Sequence, residues 1–273
     1  MHNRTWARHA RLWVGGGALC IIAVLVLIVP FLVHLDPNAA DPNSLMQPPS
    51  PDHAMGTDMY GRDVLVRTIY ATQIALGIGL GVSVGTFLLG MPIGMAAAYI
   101  RNLDGFIMRT VDTLMSLPPV LLAIASVAVL GAGLLNIVVV LLIAWTPLTI
   151  RVARAATLAL SSQEYVEAAR ALGSTLPRML YRHILRNAVD SVLVQQTVVF
   201  VGAILGEATF SFIGAGLQPP AASLGTMLGE TQAVVVQAPW LAAFPAGVLV
   251  AIALAAVLVG DGLRDRAAIG RGA

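Results

Sequence analysis

Apolar residues in this chain run in long, nearly unbroken blocks, without the two-residue alternation of a half-buried strand or the single stripe of a helix on a soluble core. Six blocks reach the ~20 residues that a helix needs to cross a bilayer. They lie at about 12–33, 73–100, 112–131, 134–156, 192–215 and 240–260. The pattern predicts an all-α membrane protein of six transmembrane helices. The run from Leu12 to Val33 is longer than the apolar stretch of a signal peptide, and Asn38-Ala39-Ala40 makes a poor cleavage site, so the first block reads as a retained anchor.

Composition agrees with lipid as the solvent. Hydrophobic residues make up 58% of the 273, and charged ones 11%, against about 25% in soluble domains. Intrinsic disorder is excluded by this apolar content, and a disulfide scaffold by the lone Cys20, which reads as a packing residue. All 16 basic residues are arginine. Without lysine there is no phosphate-binding P-loop and no Schiff-base chemistry. A net charge of +2 spread over the chain gives no reason to expect nucleic acid as a partner.

The arginines orient the spans, because cytoplasmic loops retain basic residues. With the amino terminus inside, fourteen fall on the cytoplasmic side, and only Arg62 and Arg67 fall outside. Both termini are therefore expected in the cytoplasm. The chain divides into a tail and first span (1–33), an extracytoplasmic segment (34–72) and a core (73–266). Five prolines between Pro37 and Pro51 discourage helix in the outer segment until about Arg62.

The inner polar segment, about 161–187, is long enough to carry structure of its own. Ser161-Ser162-Gln163-Glu164 reads as a capping box. Tyr165, Ala168, Ala169 and Leu172 follow at helical spacing as one apolar stripe, with Glu164, Glu167 and Arg170 off it. Gly173 suits a left-handed helix end, and Pro177 suits the first turn of a second helix reaching about Asn187. By periodicity alone this pair serves equally well as a surface connector or as a docking platform.

The residues themselves favour docking. Glu164 to Gly173, with Glu167-Ala168-Ala169 at its centre and Arg182-His183-Ile184-Leu185-Arg186 near its end, resembles the coupling loop of ATP-binding cassette importer permeases. Arg186 stands where that family usually has proline. Three further runs resemble the dipeptide, oligopeptide and nickel permeases, in particular the second of their two non-identical subunits. These are Gly56-Thr57-Asp58-Met59-Tyr60-Gly61-Arg62-Asp63, Ser211-Phe212-Ile213-Gly214-Ala215-Gly216 and Gly260-Asp261-Gly262-Leu263-Arg264-Asp265.

The resemblance implies a permease of the bacterial inner membrane that forms half of a translocation path, most simply for short peptides. Nickel, haem or another small solute is the alternative cargo. It implies a second permease, two ATPase subunits and an extracytoplasmic solute-binding protein as partners. ATP and magnesium would sit on the ATPases, leaving this chain no cofactor and no catalysis. Glu164, Glu167, Ala168, Ala169, Arg170 and Gly173 would contact the ATPase; Glu207, Phe212 and Gly214 would lie at the pathway or the subunit interface.

Three carboxylates in or near the blocks need partners, since a mid-membrane charge costs ~2.5–3.5 kcal/mol on insertion scales. Asp112 lies three residues after Arg109, and Asp261 three before Arg264, so each is expected to form a helical ion pair. Glu207 has no basic neighbour in sequence and must face protein or water. A secondary transporter with Glu207 or Asp112 as proton carrier is the rival reading, disfavoured by the lack of an internal repeat. Asp58 and Asp63 read as turn-closing side chains rather than calcium ligands. Gly77, Gly81 and Gly85, four apart and continued by Gly90 and Gly94, predict a close helix contact, and the five histidines show no zinc spacing.

Overall fold

A computed structural model describes residues 2–32 and 36–269. Ten α-helices follow one another: α1 (His2–Leu32), α2 (Val64–Tyr99), α3 (Arg101–Ser116), α4 (Pro119–Leu130), α5 (Leu134–Ser161), α6 (Glu164–Ala171), α7 (Leu176–Met179), α8 (Arg186–Phe212), α9 (Leu224–Thr231) and α10 (Trp240–Ile269). A π-helical turn, Leu180–Leu185, joins α7 to α8. Among the described residues, α1, α2, α5, α8 and α10 are each long and apolar enough to cross a bilayer. The fold is all-α and multi-pass, with five such helices, or six if α3 and α4 together make one span.

That pair corrects the expected third span at 112–131. Instead of one helix the chain makes two, bent by 87°. Pro118 pushes Leu117 into extended backbone (φ −88°, ψ 124°) and cannot itself donate a helical hydrogen bond. The second span also starts earlier than 73, at Val64, because Asp63 caps it by accepting from the Val66 N–H at 3.0 Å.

The inner segment differs from expectation at both ends. Ser161 does not cap α6. The fourth span stays helical through Ser161, whose hydroxyl donates back to the Leu158 carbonyl, and the Gln163 carbonyl opens α6 by accepting from Val166 and Glu167. The second inner helix does not end near Asn187 either. It passes through the π turn directly into α8, a continuity that Arg186 permits and a proline there would oppose.

The α2 helix sits among the others. A Cβ on Gly79 would meet Ile204 and Phe200 of α8, while one on Gly90 or Gly94 would meet Thr149, Ile150 and Ala153 of α5. Gly90 and Gly94 thus make the close contact their spacing predicts and Gly79 adds another, while the Gly77, Gly81 and Gly85 face stays largely open. Gly77 and Gly81 have nothing within 4 Å, and only Gly85 touches a neighbour, Leu142. Between the same three helices lies a buried polar cluster. Gln196 accepts from the Thr86 hydroxyl at 2.9 Å and donates to Thr149 at 3.4 Å, and the Ser83 hydroxyl donates to the Gln196 carbonyl. One end of the bundle packs around Val64, Ile204, Leu224 and Leu241, and the end nearer α6 around Met91, Ala153, Val166 and Ile184.

Gly94 gives a test of this packing. A Cβ there falls 2.6 Å from the Ile150 carbonyl oxygen, a backbone atom that cannot swing aside. Gly94→Val is expected to destabilise the bundle by ~1–3 kcal/mol, the usual cost of overpacking, and to lower the thermal midpoint of the purified chain in detergent. Gly77→Ala, on the open face, is expected to leave that midpoint in place. Equal midpoints for the two variants would refute the assignment of the α2–α5 contact to Gly94.

Candidate functional site

The inner segment is built on one buried anchor. Val166 is fully buried against the bundle, whereas Leu172 is 87% exposed and Tyr165 and Ala168 are also exposed. The stripe identified from periodicity is thus mostly exposed rather than packed on the membrane helices, although Tyr165 reaches α8, and α6 is held by Val166, the residue between its members. Glu164 and Glu167 lie exposed in the first turn of α6, and Ala169 is half-buried. The side chain of Arg170 lies outside the described residues. Gly173 has φ +78°, the left-handed conformation expected of it, and the Ser174 N–H closes the helix end on the Ala169 carbonyl at 3.1 Å. Asn187, on α8, donates to the Tyr165 hydroxyl at 3.2 Å.

Behind this segment, α5 is tied to α3 by two ion pairs. Arg154 grips Asp104 through two hydrogen bonds of 2.6 Å, and Arg151 reaches Asp112. The expected Asp112–Arg109 pair is therefore replaced by an interhelical one. The bend at Pro118 lays α3 beside α5, and sequence spacing within one helix could not reveal that partner. Asp261 does pair with Arg264, at 3.6 Å.

At the other end of the bundle, the outer run Gly56 to Asp63 folds into a knot of turns. Asp58 closes one by accepting from the Tyr60 and Arg62 N–H groups at 2.8 and 3.0 Å, and Asp63 caps α2 while its other oxygen meets His53 Nδ1 at 2.8 Å. Gly61 has φ +76°, and a Cβ there would collide with the Asp41 carbonyl. Asp41 itself is exposed, and hydrogen bonds from the Asn43 N–H and the Ser44 hydroxyl hold its carboxyl below the ordinary carboxylate range.

The turn-closing role of Asp58 was legible in the sequence; its second role was not. Asp58 Oδ2 meets Arg62 Nε at 2.6 Å and Arg67 Nε at 3.6 Å, and both arginines reach Glu230 of α9, at 2.9 and 3.4 Å. Arg67 is only 1% exposed. Two arginines and two carboxylates thus form a neutral, buried cluster that joins the outer segment, α2 and α9. The two arginines that stood apart in the orientation count are its cationic half.

Glu207 is fully buried within its own chain. Its Oε1 accepts from the Ser211 hydroxyl at 2.7 Å, and Oε2 lies beside Ser223 without a well-formed hydrogen bond. The Ser211 hydroxyl in turn accepts from the Leu217 N–H at 3.0 Å. Glu207 therefore secures the turn after α8, in which Gly214 is left-handed (φ +80°) and Phe212 and Gly214 are exposed. Ser223 and Thr226 cap α9 reciprocally, and α9 presses so closely on α8 that a Cβ on Gly225 would strike the Ala208 carbonyl.

These features define a class: a helical membrane protein whose spans are tied by buried polar contacts and which carries a small exposed helix between two of them. Residues 90–267 match the family described as "Binding-protein-dependent transport system inner membrane component". A putative peptide transport system permease protein of Brucella abortus biovar 1 (strain 9-941) is 41% identical over 96% of this chain and 88% of its own length. The glutathione transport system permease protein GsiD of Pectobacterium atrosepticum is 36% identical over 95% and 88%. A solved structure of the MetNI methionine ABC transporter, inward facing, shares the fold with a TM-score of 0.63 at 18% identity, over 72% of this chain and 94% of that one. The chain belongs to this family of inner-membrane permeases of binding-protein-dependent transport systems.

The outer charge cluster yields a stability test. Removing one member of a buried ion pair costs ~3–5 kcal/mol, because the partner charge stays behind. Arg67→Met is expected to lower the thermal midpoint in detergent and to expose residues 37–63 to protease. Arg67→Met combined with Glu230→Gln rebalances the cluster and is expected to recover part of the loss. If the single variant melts and digests like the parent, the cluster does not hold the outer segment.

Proposed function

We propose that this chain forms one half of the membrane path of an importer for short peptides, and that residues 161–187 are the cytoplasmic helices on which an ATPase subunit docks. In this reading α3 and α4 together make a sixth span, both termini are cytoplasmic, and residues 34–72 face the extracytoplasmic side. A second permease completes the path, a solute-binding protein delivers cargo to the outer face, and closure of two ATPases on ATP moves the docked helices. The observation that carries the reading is the exposed stripe of Tyr165, Ala168 and Leu172, beside Glu164 and Glu167, on a helix anchored by Val166. An apolar face turned to water is a surface awaiting a partner. The peptide cargo is supported by the names of the relatives, among them the Brucella peptide permease and the glutathione permease.

Motion of α6 has a direct path into the membrane. Two residues separate it from α5, and the helical run that follows Gly173 continues unbroken into α8. A push on α6 is therefore felt by two spans at once, through Val166 and through the covalent chain.

Topology can be measured with single cysteines in a Cys20→Ser background. Ser50→Cys is expected to react with an impermeant maleimide in intact cells, and Ser174→Cys only after permeabilisation. Reaction at position 174 in intact cells would overturn the orientation. Docking can be measured by recovery of ATPase on the tagged permease, alongside uptake of a labelled dipeptide. Gly173→Val puts a β-branched residue at a left-handed position, and Glu167→Lys reverses a charge beside the stripe. Both are expected to insert normally, to recover less ATPase and to transport little, with Gly173→Val more severe. Full recovery and transport in both would make the segment a mere connector.

A further inference from the structure

A cavity of about 400 Å³ lies in the elbow between α3 and α4. Leu114, Met115 and Leu117 line it from the elbow, Trp145 and Leu148 from α5, and Phe210 from α8. Its α5 wall, Leu141 to Leu148, includes the middle of a 28-residue helix, so the cavity lies deep in the membrane rather than at either end of that span. No charged side chain lines it. Trp145 lies so close to α8 that a Cβ on Gly202 would overlap its ring. The indole is thus held as a fixed apolar wall rather than a movable one.

The elbow adds hydrogen-bonding capacity to these walls. Pro118 and Pro119 have no N–H groups, so the carbonyl of Met115, a residue of the cavity lining, lacks a backbone donor at both of its usual helical partner positions. Irregular backbone at membrane depth persists where it borders a cavity or is enclosed by protein. A lipid chain could fill the space but would offer this carbonyl nothing. A short peptide offers apolar side chains and amide N–H groups together, and a cavity of this volume falls within the usual size range of small-ligand sites.

We infer that this elbow cavity is a stretch of the translocation path that favours short peptides with uncharged, apolar side chains. It takes those side chains against Trp145, Leu148 and Phe210 and leaves an amide N–H group to the Met115 carbonyl. Charged side chains are disfavoured because the cavity offers them no counter-charge. The inference rests on the peptide-importer reading above and adds to it a selective surface on the permease, beyond whatever the binding protein selects.

The test uses the complete importer, with its second permease, ATPases and binding protein, reconstituted in vesicles and supplied with dileucine or diglycine. Trp145→Ala is expected to lower the ratio of dileucine to diglycine uptake by roughly tenfold, at the low end of what an apolar pocket discriminates. Thr209→Cys, in a Cys20→Ser background, places a reactive group on the cavity wall at an exposed position. Its reaction with a bulky methanethiosulfonate is expected to abolish uptake, and dileucine under turnover is expected to slow that reaction. An unchanged ratio in Trp145→Ala, or a labelling rate that dileucine does not alter, overturns the inference and leaves lipid or the second permease as the occupant. Absence of ATP-driven uptake of either peptide by the unmodified importer would instead sink the peptide-importer reading, and this inference with it.

Discussion

Helices in lipid cannot be driven together by the hydrophobic effect, because lipid tails are as apolar as leucine; they must hold each other by close contact and by hydrogen bonds. The arrangement of this chain follows from that constraint. Gly90 and Gly94 let α2 reach the backbone of α5, Gly79 lets it reach α8, and Gln196 ties the same three helices through Thr86 and Thr149. Every other element is placed relative to this trio. The elbow folds against its α5 side, α9 against the Phe212 end of α8, and α6 and α7 against the opposite end of the bundle.

At each end of the trio, charge does what apolar surface cannot. The cluster of Asp58, Arg62, Arg67 and Glu230 is neutral as a set and specific in geometry, so it joins two stretches far apart in sequence, residues 58–67 and α9, at one point. The pairs Arg154–Asp104 and Arg151–Asp112 fix α3 to α5 in the same way. Because α5 leads within two residues into α6, these pairs connect the elbow to the 161–187 segment through one rigid helix. Under the proposed docking of an ATPase there, such a helix would carry displacement to the elbow.

Much of the functional segment could be read directly. Spans show in sequence because ~20 apolar residues have few other uses, and Gly173 shows because few residues other than glycine adopt a left-handed helix end readily. The elbow was harder to read. Pro118-Pro119 was visible, but the apolar run on its far side continued the hydropathy signal across the break, so two helices at 87° read as one span. The capping box misled for a related reason. Ser161 has the right residue type and spacing, but the span before it kept its helical register and used the hydroxyl first.

The sequence by itself determined the all-α membrane class, the turn at Gly173, the stripe on α6 and, through its motifs, the permease family. These are set by local chemistry: an apolar run, a positive φ, a helical period, a contiguous motif. Only the tertiary structure decided that Gly79 rather than Gly77 or Gly81 meets a neighbour, that Asp112 answers Arg151 rather than Arg109, and that Glu230 completes a cluster with Arg62 and Arg67. It also decided that Val166 anchors α6, leaving Ala168 and Leu172 exposed. Partners of this kind are up to 168 residues apart in sequence, and no local pattern encodes them. They exist because the glycine contacts and the bend at Pro118 bring particular faces together, and the face a residue occupies in a bundle is a property of the whole packing.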